Sequence, residues 1–368
     1  MKLAYCIHSL HLARGIERGV TFKANAFCSI PGNEVYIITA NLHGRPAAYP
    51  LDSRVKVIDL GASDRLGITY GRYFRRLRRC LNELKPDIAV SMGDNSVYAL
   101  SKMDFGGRKI SEYHFSFEKF HMKYGGNPIG RLYADWRRNM IALAVRRMDA
   151  FVVLTETDCR DWASLVPGVR YIYNPPTIQT TVQAPLQSRN AIAVGQLAPQ
   201  KNWPDMLAAW RKVRDVHPDW TLNIYGSGKQ RKMVERLVSR YFPDGGVVLK
   251  GRTSDVVSAF LDSSMLLLSS KYEGFPMVLL EASQCGVPAV SYDCPKGPAE
   301  MIDNGINGIL VPAGDIDALA AGACRLIEDP ELRKAMGAAA LLKCSRFSQE
   351  SVIAQWQALW DELLRNRK

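Results

Sequence analysis

Two carboxylates, Glu273 and Glu281, stand eight positions apart in Lys271-Tyr-Glu-Gly-Phe-Pro-Met-Val-Leu-Leu-Glu-Ala282. A Gly-Phe-Pro turn and an apolar stretch lie between them. Upstream, the run Met265-Leu-Leu-Leu268 predicts a buried parallel strand. Pro276 stands where a helix would begin, a position that tolerates its missing N–H. The helix expected from Met277 to Ser283 carries Glu281 and leaves Glu273 in the loop above the strand. Free N–H groups from Gly274 to Met277 are expected to face the space between the carboxylates, where a helix N-terminus favours an anion. Two carboxylates beside an anion site suit a ligand with both phosphates and hydroxyls, such as a nucleotide sugar.

The elements that must position these groups read as α/β. Arg72 to Lys85 shows a helical stripe of Tyr73, Phe74, Leu77, Leu81 and Leu84, stops at Pro86-Asp87, and continues as the strand Ile88-Ala-Val90. The same joint recurs where the helix Asp205 to Val216 stops at His217-Pro-Asp219 and the strand Trp220 to Tyr225 follows. One such joint in each half implies two doubly wound parallel-sheet domains. Tyr173 to Ser188, rich in Pro, Thr and Gln, marks the boundary, and Ala191-Ile-Ala-Val194 restarts with a strand. We therefore expect domains at 1–175 and 176–348. The helix Gln349 to Leu364 has Val352, Trp356, Leu359, Trp360 and Leu363 on one face.

The totals narrow the class. The chain has 368 residues, 47% hydrophobic and 23% charged, as in folded soluble proteins. No apolar run approaches the roughly eighteen residues of a membrane span, and Met1 to His8 reads as a first strand rather than a signal peptide. The eight cysteines show no C-x-x-C spacing, and Cys6, Cys285 and Cys294 lie in or beside apolar segments, which fits buried thiols in a reducing cytoplasm. The net charge of +12 is uneven: residues 1–175 hold 26 Lys+Arg against 16 Asp+Glu, and the remainder holds 22 against 20. Asp315-Ile-Asp317 mimics a metal-binding pair, but the apolar helical run after it makes a helix cap the better reading. His8-x-x-His11 lacks a third and fourth ligand.

The Glu273 to Glu281 segment, set in Ser-Ser-Lys-Tyr-Glu-Gly-Phe-Pro and followed by Cys285-Gly-Val-Pro-Ala-Val290, resembles the E-x7-E signature of retaining glycosyltransferases of family 4. The resemblance implies the GT-B fold, with two Rossmann-like domains facing across a cleft: residues 1–175 binding the acceptor, 176–348 the nucleotide sugar, and a C-terminal helix, 349–368, crossing back to the first. It also implies roles. Glu281 holds the ribose hydroxyls, and Glu273 reaches the sugar. Gly274, Phe275, Pro276 and Met277 present N–H groups or surface to the sugar and diphosphate. Lys201, in Gly195-Gln-Leu-Ala-Pro-Gln-Lys-Asn202, neutralises the diphosphate, while Gln196 replaces the arginine common in the family. Gly226, in Tyr225-Gly-Ser-Gly228, resembles the family turn near the nucleotide, and backbone groups after Gly251 meet the base, so Arg252 is expected to contribute main chain more than side chain. Gly15, in Leu12-Ala-Arg-Gly-Ile-Glu-Arg18, lets the backbone approach the diphosphate. Arg14 stands where the family has glycine. His114, in Ile110-Ser-Glu-Tyr-His-Phe115, is placed near the reacting carbon. Asp293-Cys-Pro-Lys-Gly-Pro-Ala-Glu300 and Asn304-Gly-Ile-Asn-Gly308 resemble members that build lipopolysaccharide, capsule or teichoic acid from UDP-sugars.

The expected activity is metal-independent, retaining transfer of a hexose or N-acetylhexosamine from a UDP-sugar to a hydroxyl of a lipid-linked glycan in cell-surface polysaccharide biosynthesis. The expected catalytic residues are Glu273, His114 and Lys201, with no cofactor. Arg14, Arg18, Arg75, Arg76 and Arg79 are expected on the acceptor or membrane side. The basic helix 72–85 suits an anionic membrane surface, which implies a peripheral place on the inner face of the cytoplasmic membrane. Two other classes remain open. A UDP-sugar epimerase or hydrolase would need further acid–base groups, and only His114 is well placed. A nucleic-acid-binding protein would need stacking aromatics among its cations, and only Tyr73 and Phe74 fit; no nucleic-acid partner is expected.

Overall fold

The computed structural model describes all residues except 13, 14, 66, 68, 179 and 366–368. The chain divides into two compact units, Met1–Thr177 with Gln349–Lys368, and Ile178–Ser348. The first unit runs β1 (Lys2–Ile7), α1 (Gly15–Cys28), β2 (Glu34–Thr39), β3 (Lys56–Asp59), α2 (Tyr70–Leu84), β4 (Ile88–Ser91), α3 (Asp94–Leu100), β5 (Arg108–Tyr113), α4 (Lys119–Tyr124), α5 (Pro128–Val145), β6 (Ala150–Val153), α6 (Glu156–Ala163) and β7 (Arg170–Tyr171). The second runs β8 (Asn190–Val194), α7 (Trp203–Val216), β9 (Thr221–Tyr225), α8 (Arg231–Tyr241), β10 (Val247–Gly251), α9 (Val256–Leu261), β11 (Met265–Leu268), α10 (Met277–Gln284), β12 (Ala289–Asp293), α11 (Pro298–Met301), β13 (Gly308–Pro312), α12 (Ile316–Glu328) and α13 (Pro330–Cys344). The chain then returns to the first unit as α14 (Gln349–Arg365).

Each unit is built on one parallel sheet. The first has the order β3-β2-β1-β4-β5-β6-β7 and the second β10-β9-β8-β11-β12-β13. Both are doubly wound: the chain moves outward from the central strand, then returns to build on its other side. The strand order reverses between β1 and β4 and between β8 and β11. At those points the loops after the two strands diverge and leave a crevice for a ligand. The central strands are buried on both faces, which is why Met265-Leu-Leu-Leu268 reads as an unbroken apolar run.

In the first unit α1 and α14 cover one face of the sheet, while α2, α3 and α5 cover the other. On α14, Val352, Trp356, Leu359, Trp360 and Leu363 are buried, and Phe27 meets Trp360 with ring centroids 4.1 Å apart. On α2, Tyr73, Leu77 and Leu81 face the core, and Lys85 closes the helix in a left-handed conformation. Asp315 accepts from the Ala318 N–H at 2.9 Å and caps α12, as the helix-cap reading predicts.

Candidate functional site

The switch point of the second sheet holds the expected donor residues. Lys201 lies on a short turn, Pro199–Lys201, between β8 and α7, and Asn202 after it takes a left-handed conformation. Glu273 lies in the loop between β11 and α10. Two hydrogen bonds to backbone carbonyls lace these loops together. Ser269 Oγ donates to the Lys201 carbonyl at 2.9 Å, and the Lys271 N–H donates to the Gln200 carbonyl at 2.8 Å. Lys201 Nζ then reaches Glu273 Oε1 at 2.6 Å. Gln200 Nε2 donates to Tyr272 O at 2.8 Å and to Glu273 Oε2 at 3.3 Å, so both carboxylate oxygens are held.

Two glycines make this arrangement possible. A Cβ on Gly195 would sit 3.1 Å from Lys201 Cε, so the lysine stem lies across a bare backbone. Gly226 has φ 153°, and a Cβ there would fall 1.8 Å from the Gly195 carbonyl oxygen. The loops after β8, β9 and β10 are therefore stacked backbone on backbone. Gly195 N–H donates to Tyr225 O at 2.9 Å, and Gly226 N–H donates to Gly251 O at 2.7 Å. Arg252 uses its side chain here: Nε donates to Ser227 Oγ at 2.6 Å and ties the β9 and β10 loops together. Gln196 is exposed, while its carbonyl accepts from Trp203 Nε1 at 3.2 Å.

The turn into α10 departs from expectation in one respect. Pro276 caps the helix with φ −76° and ψ 82°, and the Met277 N–H is consumed by the Phe275 carbonyl at 2.9 Å. This is an inverse γ-turn. Met277 therefore does not offer a free donor, and Pro276 has none to offer. The Gly274 N–H makes no hydrogen bond among the described residues. Glu281 is buried on α10, two turns beyond Glu273 in the chain. Burial, reinforced by the Glu281 carboxylate, pushes the Cys285 thiol up to about 12, and burial together with Glu273 does the same for Cys294. Both thiols stay neutral and are poor nucleophiles.

The first unit holds its own set. Gly15 opens α1 in an exposed position where an added Cβ would meet nothing within 4 Å. Arg18 Nη1 donates to Thr177 Oγ1 at 3.2 Å and stands over the Tyr49 ring. Arg14 lies outside the described residues. His114 follows β5, as its context predicts, and is buried with Nε2 3.1 Å from Glu112 Oε1. Glu112 also accepts from Lys23 Nζ on α1, and that ammonium lies 5.2 Å from the Trp356 ring centroid. Sequence reasoning missed this sealed pair. Its signal was a lysine on the apolar stripe Val20, Ala24, Phe27 and a glutamate inside a buried strand. On α2 the apolar stripe is buried. Arg75 and Arg79 project outward, and Arg76 Nη1 is held by the Gly61 carbonyl at 3.0 Å. With Tyr73 in the core, the basic patch loses one of the two aromatics that base stacking would require.

Comparison with known proteins matches these two halves separately. Residues 177–342 match the family model "Glycosyl transferases group 1", and residues 13–177 match "Glycosyltransferase Family 4". An uncharacterized glycosyltransferase of Haemophilus influenzae is 26% identical over 97% of this chain and 99% of its own length. The amylovoran biosynthesis glycosyltransferase AmsD of Erwinia amylovora is 27% identical over 96% of this chain and 98% of its own. Among solved structures, a mutant of S. aureus TarM in complex with Fondaparinux, alpha-GlcNAc-glycerol and UDP superposes with a TM-score of 0.82. It is 15% identical and covers 98% of this chain and 99% of that one, which speaks to the fold. With both halves matched and the architecture shared along the whole chain, this protein belongs to the family 4 glycosyltransferases of GT-B fold.

Proposed function

We propose that this glycosyltransferase moves a hexose or N-acetylhexosamine from a UDP-sugar to a hydroxyl of a lipid-linked glycan in the building of a cell-surface polysaccharide, with retention of configuration and without a metal. The observation that carries the donor side is the Lys201–Glu273 pair at the switch point of the second sheet. An ammonium has three donors, and Glu273 engages one of them. A diphosphate beside Lys201 would take the others and release Glu273 toward the sugar hydroxyls. The Gly274 N–H adds a neutral donor. Glu281 accepts two hydrogen bonds from the vicinal diol of the ribose. The UDP bound by TarM and the polysaccharide named for AmsD favour this donor and this kind of product.

In the proposed step the bond from the anomeric carbon to the phosphate oxygen breaks and a bond to the acceptor oxygen forms. The acceptor proton passes to the departing phosphate on the same face, which gives retention. Charge accumulates on that phosphate, and Lys201, whose stem lies across the bare backbone at Gly195, stabilises it. His114 keeps a proposed part in transfer, tested by the kcat of His114→Ala. Among the described residues no helix is long and apolar enough to cross a membrane, so the proposed lipid-linked acceptor would be met at a bilayer surface. The test is transfer from a panel of UDP-sugars to lipid-extracted acceptor in EDTA, with the product linkage read by NMR. An α-linkage from an α-donor, formed at undiminished rate in EDTA, is expected. A β-linkage or a metal requirement would overturn the mechanism.

A further inference from the structure

The helix α5 turns its large apolar residues outward. At about 100° per residue, Ile129, Leu132, Tyr133, Trp136 and Leu143 fall on one stripe, and all five are exposed, Ile129 at 80%, Leu132 at 71% and Trp136 at 55%. The inward face carries Ala134, Ile141, Ala142, Ala144 and Val145. The helix thus buries mainly small residues and presents its bulk to solvent, the reverse of an ordinary covering helix. The stripe is ordered rather than frayed. Asn127 caps the helix, accepting from the Gly130 N–H at 2.8 Å, and Pro128 follows at the first position. Tyr133 stacks on Trp136 with centroids 5.7 Å apart and meets Tyr124 of α4 edge-on. Met122 of α4, the helix packed on α5, is also exposed.

Charge says what covers this face. Residues 119–147 contain seven Lys and Arg and one acid, Asp135. That acid is paired with Arg138 and His121. Lys123 Nζ stands 5.0 Å from the ring centroid of Tyr124, and Arg137 Nη1 donates to Tyr133 Oη at 3.3 Å, so both cations flank the stripe; Arg146 and Arg147 are exposed at the C-terminal end of the helix. Helix α2, on the same face of the sheet, adds outward Arg75, Arg78 and Arg79. An apolar strip with Trp and Tyr, framed by cations, matches both layers of an anionic bilayer: acyl boundary for the rings and aliphatics, phosphates for the cations. We propose that the outward stripe of α5 is the surface by which the first unit docks on an anionic membrane. Ile129, Leu132 and Trp136 enter the headgroup boundary while Lys123 and Arg137 meet lipid phosphates. The same crossover carries His114 at the end of β5, so the docking face and a proposed transfer residue share one connection.

This inference deepens the membrane part of the proposed function and rests on it for its purpose, but vesicle binding is measured without any sugar transfer. The whole chain is sedimented with phosphatidylglycerol/phosphatidylethanolamine vesicles and with phosphatidylcholine vesicles, alongside Leu132→Ser/Trp136→Ser. Both side chains are exposed, so the variant should fold; circular dichroism and UDP affinity check this independently. Binding to anionic vesicles alone, weakened at least about tenfold in the variant, is expected from the lost apolar insertion. Equal binding by the variant, or no vesicle binding by the wild type, would overturn the proposal. So would a wild-type dimer that the variant breaks without change in vesicle binding, because the stripe would then be a self-association surface. Absent UDP binding with vesicle binding intact would instead count against the donor reading alone.

Discussion

Each unit contains a lysine–glutamate pair, and the two pairs are built for different purposes. Lys23 and Glu112 are both 1% exposed, sealed between α1, β5 and Trp356. Lys201 and Glu273 are 17% and 8% exposed and stand on loops at a switch point. Burial alone would raise the Glu112 carboxyl, but Lys23 and His114 outweigh it and hold it down at about 2, while burial lowers the Lys23 ammonium. The sealed pair has no water to take over if one partner leaves. The half-open pair can exchange partners, so its lysine is available to a ligand. Solvent access and position on the sheet, more than the residue types, separate scaffold from site.

Removing one member of the sealed pair should have the largest effect. Lys23→Met leaves a buried carboxylate without its cation and is expected to cost roughly 3–5 kcal/mol of stability, read by urea unfolding. Lys23→Met/Glu112→Gln should recover much of that. A single variant as stable as wild type would break the distinction. The same pair sets an acid limit. The folded carboxyl of Glu112 titrates below its unfolded value of 4.5, so its contribution is complete above that value and disappears as pH falls through about 2. The acid-unfolding curve of Lys23→Met/Glu112→Gln should be flatter across that window.

The half-open pair should show the opposite signature. Lys201→Met is expected to lower kcat by about a hundredfold to a thousandfold, as loss of one charge-stabilising donor does, with little change in the unfolding midpoint. Loss of stability in place of kcat would make Lys201 scaffold. A gentler test is Gly195→Ala, whose new Cβ would press on Lys201 Cε at 3.1 Å. A shift of the ammonium by a few tenths of an ångström should reduce kcat by roughly tenfold and leave vesicle binding unchanged. An unaffected kcat would mean that the lysine's position is not critical.

The parts of this account that follow local pattern were legible in the sequence. The apolar run of β11, the Pro-marked start of α10, the α14 stripe and the Asp315 cap are short-range features, and each lies where its residues place it. The partnership of Lys201 with Glu273 spans 72 positions, and only the sheet order brings the two together. The donor at Met277 was lost to a γ-turn whose need arises from the φ/ψ of Pro276, which residue type alone leaves open. Periodicity says least at the helices of the first unit. The apolar stripe on α2 faces the core, and what that helix leaves outward for a membrane is its arginines. The stripe on α5 has the spacing of a core face, yet the sheet side of that helix takes its alanines instead. A helical period reveals that two faces differ, and the volume available beneath the helix decides which one is buried.

The central claim is that the switch point of the second sheet binds a uridine diphosphate sugar through Lys201, Glu273 and Glu281. Calorimetric titration of UDP, GDP and ADP into the wild type and into Glu281→Ala tests it most directly. The expected result is selective binding of UDP by the wild type, weakened by about 1.5–3 kcal/mol in Glu281→Ala, as loss of a charged acceptor for the ribose diol implies. Unchanged UDP affinity in Glu281→Ala, or no preference for UDP in the wild type, would contradict it.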